Sequence, residues 1–477
     1  MNQTILKNDK LFNLLQSFFY GKFYPIYLGL FTLLFYSMQI PIVAFVFFMT
    51  LSCVTLICFR DLTPFTPLPM LIIMSLSSFD FFTDAIILVV IFIALFVGSL
   101  TAHLFIYPIK KFVFGKLFVP FCLITVGLLC GGLFSPYLKN DYLRGLPTIL
   151  SVAPAMFLVY VLYKNYSNPP KDFNHVEHLF FVLLIVGTTL SLIMFVHEYY
   201  SIIGIFGKYN MGFGNTNIYA CALVMLTPFS WYFICTKKKF LPFVIILVLN
   251  YLAIYLSRSD GVLALAFAFI PVFAVLGYIK TDEYHKNIFL KTFLIGCFII
   301  VLGLLVLATK INLNSLLTKL ISKLSTDNGR TELYVYALEL FKKYPIFGTS
   351  FGIFELDKFP LLPSPEGETY IVYTMSFHST FFHLLATTGL VGLITYAIYY
   401  VVRYKVLMKK NSIYNLVAFL SFTLYQIYGM ISHEEFQAFP ILIFSTILLS
   451  TIELSNNENK QPTNLPLLKK NIKYQSL

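Results

Sequence analysis

Charge is what this sequence has least of. Asp, Glu, Lys and Arg make up 12% of its 477 residues, about half the share in a soluble domain, which excludes a single water-exposed globule. Tryptophan occurs once. The seven cysteines (Cys53, Cys58, Cys122, Cys130, Cys221, Cys235 and Cys297) all lie in apolar stretches. They read as small core residues, not as disulfides or metal ligands. No short apolar segment is followed by a small-residue cleavage site, so no removable signal peptide is expected.

What the chain has instead is apolar length. Hydrophobic residues make up 58%, phenylalanine alone contributes 52, and the mean hydropathy is +0.79. Runs of about 18 or more apolar residues recur, each able to cross a ~30 Å hydrocarbon layer. Fourteen candidates lie between 24–39 and 439–454. The expected fold is all-α, a polytopic transmembrane bundle of 12–14 spans.

The net charge of +12 would point to nucleic acid in a soluble protein. Here it reads as the cationic excess of cytoplasmic loops, and no nucleic-acid partner is expected. With fourteen spans, Lys7, Lys10 and Lys22, then Arg60, then Lys110, Lys111 and Lys116 fall on that side. So do Lys164 and Lys171, Lys237 to Lys239, Lys280 and Lys286, the group Arg403, Lys405, Lys409 and Lys410, and the tail from Glu453. The opposite side receives 139–145, 197–217, the turn "SRSDG" (257–261), a long loop at about 309–380, and "SHEEF" (432–436). The expected divisions are N-terminal transmembrane helices over 1–308, an external loop over 309–380, C-terminal helices over 381–454 and a polar cytoplasmic tail over 455–477.

The long loop has its own pattern. Leu313, Leu316, Leu317, Leu320, Ile321 and Leu324 recur at helical spacing with Lys319 and Lys323 opposite, which suits a helix lying in the membrane interface. A second helix is expected after "TDNG", running to Tyr344 and stopped by Pro345 and Gly348. Arg330 opens that helix, where the dipole disfavours a cation. It either snorkels to lipid phosphate or pairs with Asp327, or it joins helix amides in an anion site. Arg258, at the outer end of a span, offers the same choice between snorkelling and bidentate phosphate contact. His378 lies at the mouth of a span, at the water boundary, where an imidazole suits a general base. His383, deeper among Phe and Leu, reads as packing. A metal site built from His197, Glu198, His433 and Glu434 has nothing in the sequence to bring its parts together, and no metal or cofactor is expected.

Four stretches together resemble the O-antigen ligase and polymerase superfamily. "GNTNIYACALVMLTP" looks like the family's Asn-bearing start of a span. "LSRSDGVLALAF" is similar to its Ser-Arg-Gly motif, with Ser259-Asp260 between Arg258 and Gly261. "GRTELYVYALELFKKYPIFGTSFGIF" looks like its Arg–helix–Pro-x-x-Gly segment. "HSTFFHLLATTGLVGL" resembles its His-Asn-x-x-Leu…Gly-x-x-Gly run, with Ser379 in the Asn position. The resemblance keeps their order and covers roughly 200–402. It implies a bundle of the GT-C type, placed in the bacterial cytoplasmic membrane with its active site outward. It also implies transfer of a glycan from undecaprenyl diphosphate to an acceptor hydroxyl, the acceptor being a glycan or a lipid-linked molecule. On that likeness Arg258 and Arg330 bind the diphosphate, His378 takes the acceptor's proton, and Asn215, Asn217 and Ser379 are possible substrate contacts. The chain has no Asp-x-Asp pair to hold a metal on a nucleotide-sugar, in keeping with a lipid-diphosphate donor.

Other readings compete. A lipid-linked oligosaccharide flippase is also polytopic and basic, but such proteins carry polar residues near the midplane, where these spans are nearly free of charge. A purely structural scaffold explains neither Arg258 nor Arg330. Within the family, polymerase, ligase and protein O-oligosaccharyltransferase differ only in the acceptor.

Overall fold

The computed structural model describes residues 15–75, 86–135, 155–167, 173–203, 216–281, 330–350, 377–431, 435 and 439–457, with 286–287, 290–291, 294, 362–363 and 369–370. Nearly all regular structure among them is helical. The helices are α1 (Phe23–Ser37), α2 (Pro41–Cys58), α3 (Leu68–Ser75), α4 (Ile86–Ile106), α5 (Phe118–Leu129), α6 (155–166) and α7 (His175–Ile202). They continue with α8 (Thr216–Thr236), α9 (Leu241–Leu256), α10 (Asp260–Lys280), α11 (Arg330–Lys343), α12 (Thr380–Leu407), α13 (Ile413–Ile431) and α14 (Phe439–Asn457). One antiparallel pair of two-residue strands, β1 (Leu362–Pro363) and β2 (Thr369–Tyr370), lies in the long loop with Leu362 opposite Tyr370.

Six helices (α2, α4, α7, α8, α10 and α12) are long and apolar enough to cross a membrane, and α1, α5, α9 and most of α14 are shorter apolar helices. The protein is a polytopic helical membrane protein. Of the fourteen spans read from sequence, 288–308 lies almost wholly outside the described residues, and 65–82, 84–107, 117–137 and 146–163 lie outside in part. The amphipathic stretch 313–324 lies outside them too.

Burial sorts the helices into a centre and a rim. The apolar window of α8 is 94% buried against 17% for α4 and 22% for α10. A helix apolar on every side must be enclosed by others or by lipid: α8 has α7, α9, α10 and α13 around it, while α4 and α10 turn side chains such as Phe105 and Phe267 outward. Pro228 inside α8 removes the hydrogen bond to the carbonyl four residues back. That carbonyl, on Val224, accepts from the Thr227 hydroxyl at 2.8 Å. One residue on, the Met225 carbonyl accepts from Ser421 of α13 at 2.6 Å. The carbonyl that the proline leaves bare is thus satisfied within α8, and a separate bond ties the helix to its neighbour.

Two charge assignments are corrected. Arg403, counted with the cytoplasmic loop, lies within α12, fully buried, and pairs with Glu435 of the segment counted on the opposite side. Glu453, counted with the tail, is buried in α14, 3.5 Å from the buried Lys164 ammonium. Lone charges are assigned to loops by sequence rules because burying one is prohibitive; a paired and hydrogen-bonded charge escapes that rule. Both charges lie in the last two turns of their helices, so the middle of each of these two helices stays free of charge.

Candidate functional site

The turn between α9 and α10 carries the first cluster. Arg258 adopts a left-handed backbone, φ +58°, a conformation that costs a non-glycine residue roughly 1–2 kcal/mol. Its side chain is 83% exposed and reaches Glu198 of α7 at 3.7 Å, a pair too open to stabilise much. The next residue, Ser259, is buried and precedes α10. Its hydroxyl donates to Asn217 Oδ1 at 2.8 Å and lies 3.1 Å from the Tyr428 hydroxyl. The strained arginine is thus anchored through its neighbour to both α8 and α13.

The start of α12 repeats the device. His378 has φ +50°, and Ser379 follows as the residue capping α12, buried, with no side-chain capping bond. Thr380 then accepts a hydrogen bond from the Glu435 amide at 2.8 Å. Glu435 in turn receives the Tyr425 hydroxyl on its carbonyl at 2.6 Å, and Tyr425 lies within one helical turn of Tyr428 on α13. One stretch of α13 therefore touches both groups: Tyr428 the Arg258–Ser259 turn, Tyr425 the loop that holds Thr380.

Arg330 arrives from a third direction. It is the first residue of α11, half-buried. One turn on, Tyr334 stacks on Phe382 of α12 at 4.2 Å between ring centroids, and Tyr336 stacks on Phe377 at 6.4 Å. Leu333, Ala337 and Leu340 pack with Phe377 and Ala386. The amphipathic helix thus lays its apolar face along the start of α12, beside His378.

The turn after α11 locks this arrangement. α12 is broken at Gly389, whose φ of 61° and ψ of −154° interrupt the helix. The amides freed there do not go unpaired. Leu390 donates to the Pro345 carbonyl at 2.9 Å and Val391 to that of Ile346 at 3.1 Å, while the Thr349 amide donates to Ala386 at 3.0 Å. The Pro-x-x-Gly turn is therefore a plug in a broken helix, which satisfies the backbone as a low-dielectric setting demands.

Of the residues singled out in the sequence, Asn217 holds the neighbour of Arg258, Ser379 follows His378 at the start of α12, and Arg330 opens the helix that packs on that start. Asn215 lies outside the described residues, as do His433 and Glu434. Glu198 is engaged by Arg258, and no group of three or more metal-ligating side chains occurs among the described residues. His383 is buried, with its ring 6.0 Å from that of Phe377. Sequence reasoning missed Tyr425, Tyr428 and Glu435. A tyrosine on an apolar span carries no signal of its own, although Glu435 in a short loop between two spans was a visible oddity.

These contacts define a class: a helical membrane protein whose polar cluster is assembled from inter-helix turns and steadied by a broken span. Residues 243–397 match the family described as O-Antigen ligase. That match runs from α9 into α12, within the stretch that carries the four motifs. No curated protein matches the chain.

Proposed function

We propose that this protein transfers a glycan from undecaprenyl diphosphate to an acceptor hydroxyl at the outer face of the bacterial cytoplasmic membrane, as a surface-polysaccharide polymerase or an O-antigen ligase. The observation that supports it best is the pairing of two strained turns. Arg258 and His378 are two of only five non-glycine residues with positive φ among those described, and each precedes a buried serine at the start of a helix. Strain of this kind persists where the surroundings over-determine it, which is common at functional sites.

The chemistry follows from the residue types. The acceptor oxygen attacks the anomeric carbon, the bond from that carbon to the diphosphate oxygen breaks, and the electron pair leaves with undecaprenyl diphosphate. Arg258 and Arg330 bind the diphosphate and offset the charge it gathers, which lets it depart without a general acid. His378 takes the acceptor's proton. Asn217 and Ser379 contact the substrate, and Ser379, whose buried hydroxyl has no hydrogen-bond partner among the described residues, is the one able to accept from or donate to a substrate group. The working part is the external loop 309–380 with the helix ends on either side of it.

One observation favours a second reading. The buried Arg403–Glu435 pair is the kind of intramembrane charge that a lipid-linked oligosaccharide flippase uses. Its partners are, however, engaged with each other and with Gln426 and Tyr396. Purified protein incubated with lipid-linked repeat units and no second acceptor decides between them. A ladder of products means polymerase, transfer only after a core oligosaccharide is added means ligase, and movement across the bilayer with no new glycosidic bond means flippase.

A further inference from the structure

Arg403 and Glu435 lie outside the residues that match the family and far from each other in sequence, yet they form the most completely buried ion pair among the described residues that joins α12 to a loop. The Arg403 side chain is 0% exposed and that of Glu435 3%. One guanidinium nitrogen bonds the Glu435 carboxylate and another bonds Gln426 Oε1. Tyr396 donates to the second carboxylate oxygen and accepts from the Gln426 amide. The rings of Tyr399, Tyr400, Tyr404 and Phe422 surround the guanidinium at 5.1–5.4 Å.

The main chain of Glu435 faces the other way. Its amide holds Thr380 Oγ1 at 2.8 Å, while its side chain holds Arg403. Thr380 and Arg403 sit near opposite ends of a 28-residue helix, and a straight helix would separate them by about 35 Å at 1.5 Å per residue. One glutamate can bridge them only because the helix folds at Gly389. The bridge therefore fixes how far the first segment of α12 leans toward the second. His378 and Ser379 lie at the tip of that first segment.

We infer that Glu435, held by Arg403, is a positioning residue that sets the start of α12 and with it the His378 ring. The inference rests on the proposed glycan transfer for the reaction that His378 serves, but not for the geometry. A buried pair of this kind is a poor source of stability and a good source of registry, since apolar residues of similar volume replace such pairs without loss of fold in other proteins.

The test uses the full-length protein in liposomes with two sets of variants. Thr380→Val removes only the oxygen that receives the Glu435 amide; Thr380→Ser restores it. Arg403→Met combined with Glu435→Gln removes the charge pair while leaving neither charge stranded. With an undecaprenyl-diphosphate-linked glycan as donor, Thr380→Val and the double variant should lose tenfold or more in kcat with the donor KM within twofold, and Thr380→Ser should regain most of the parent's rate. Equal rates in all of them, or a loss carried by KM alone, would overturn the assignment. A second measurement does not need transfer at all. A cysteine replacing His378 should react several-fold faster with a small thiol reagent when Thr380→Val or the double change is added, because the segment is released. Unchanged labelling overturns the positioning role. Faster labelling in a protein whose parent transfers no glycan would instead support the positioning role and sink the proposed reaction.

Discussion

Gly348 packs on the Thr387–Thr388 backbone and Gly389 on the Pro345–Ile346 backbone across the break in α12, each with positive φ, +67° and +61°. A Cβ on Gly348 would come within 2.3 Å of the Thr387 carbonyl carbon, and one on Gly389 within 2.6 Å of the Ile346 carbonyl group. Alanine at either position faces roughly 1–3 kcal/mol for a sparsely populated positive-φ backbone and a collision with main chain that cannot swing aside. Gly348→Ala and Gly389→Ala should each lower the melting midpoint in detergent and abolish transfer. Gly98→Ala, with open space around its Cβ, should do neither. A Gly389→Ala protein with parental midpoint and rate would mean that the plug is not a fixed part of the fold.

Arg258→Ala and Arg330→Ala should each reduce glycan transfer at least about a hundredfold, the scale of losing one preorganised charge-stabilising group, with the protein still inserted. The corresponding lysine variants should keep part of the donor binding, since the charge stays and the bidentate fork goes. Steady-state rates in liposomes check this. Full activity in either alanine variant returns that arginine to simple snorkelling.

His378 and His383 are separable by the same assay. His378→Ala should lose about a hundredfold or more in kcat, the range of a general base, while retaining lipid-diphosphate binding. His383 is buried beside Phe377, so His383→Leu should alter expression or melting more than turnover. If the outcomes are reversed, the base lies one turn deeper in α12.

Sidedness is open to direct labelling. Cysteines introduced at Ser364 and Ser432 should react with an impermeant thiol reagent on intact cells, and one at Ser412 should not. Reaction at Ser412 alone would invert the orientation and with it the choice of donor.

The buried pair has a thermodynamic signature as well. Arg403→Met alone strands the Glu435 carboxylate and should cost about 3–5 kcal/mol, whereas Arg403→Met with Glu435→Leu should recover most of that loss. Denaturation of the two proteins in the same detergent measures the difference. Additive losses would show that the two side chains do not act as a pair.

Much of this architecture was legible because its signals are local. Apolar length marked the spans, Pro345 ended α11 close to Tyr344, and the order of Arg258, Arg330 and His378 survived as motif. What stayed hidden is three-dimensional. Nothing in "ATTGLVGL" distinguishes a flexible glycine from one where a helix breaks and receives a turn from 40 positions earlier. Arg403 looked like a loop cation because its partner, Glu435, is reached only once α12 has folded on itself. Tyr428 and Tyr425 looked like span aromatics because their hydroxyls matter only through what α9, α10 and the 435 loop bring to them.

The open flank of α10 has a consequence for carrier lipids. This helix begins at the Arg258–Ser259 turn, and its apolar window is 22% buried, with Phe267, Val275 and Ile279 turned away from the bundle. Among the described residues no wall of protein encloses that side, so an isoprenoid chain whose headgroup sat at the turn would remain dissolved among acyl tails. Carriers of different isoprenoid length would then be told apart by how they partition into the bilayer, not by fit to a groove. Recognition would fall on the diphosphate and the first sugar.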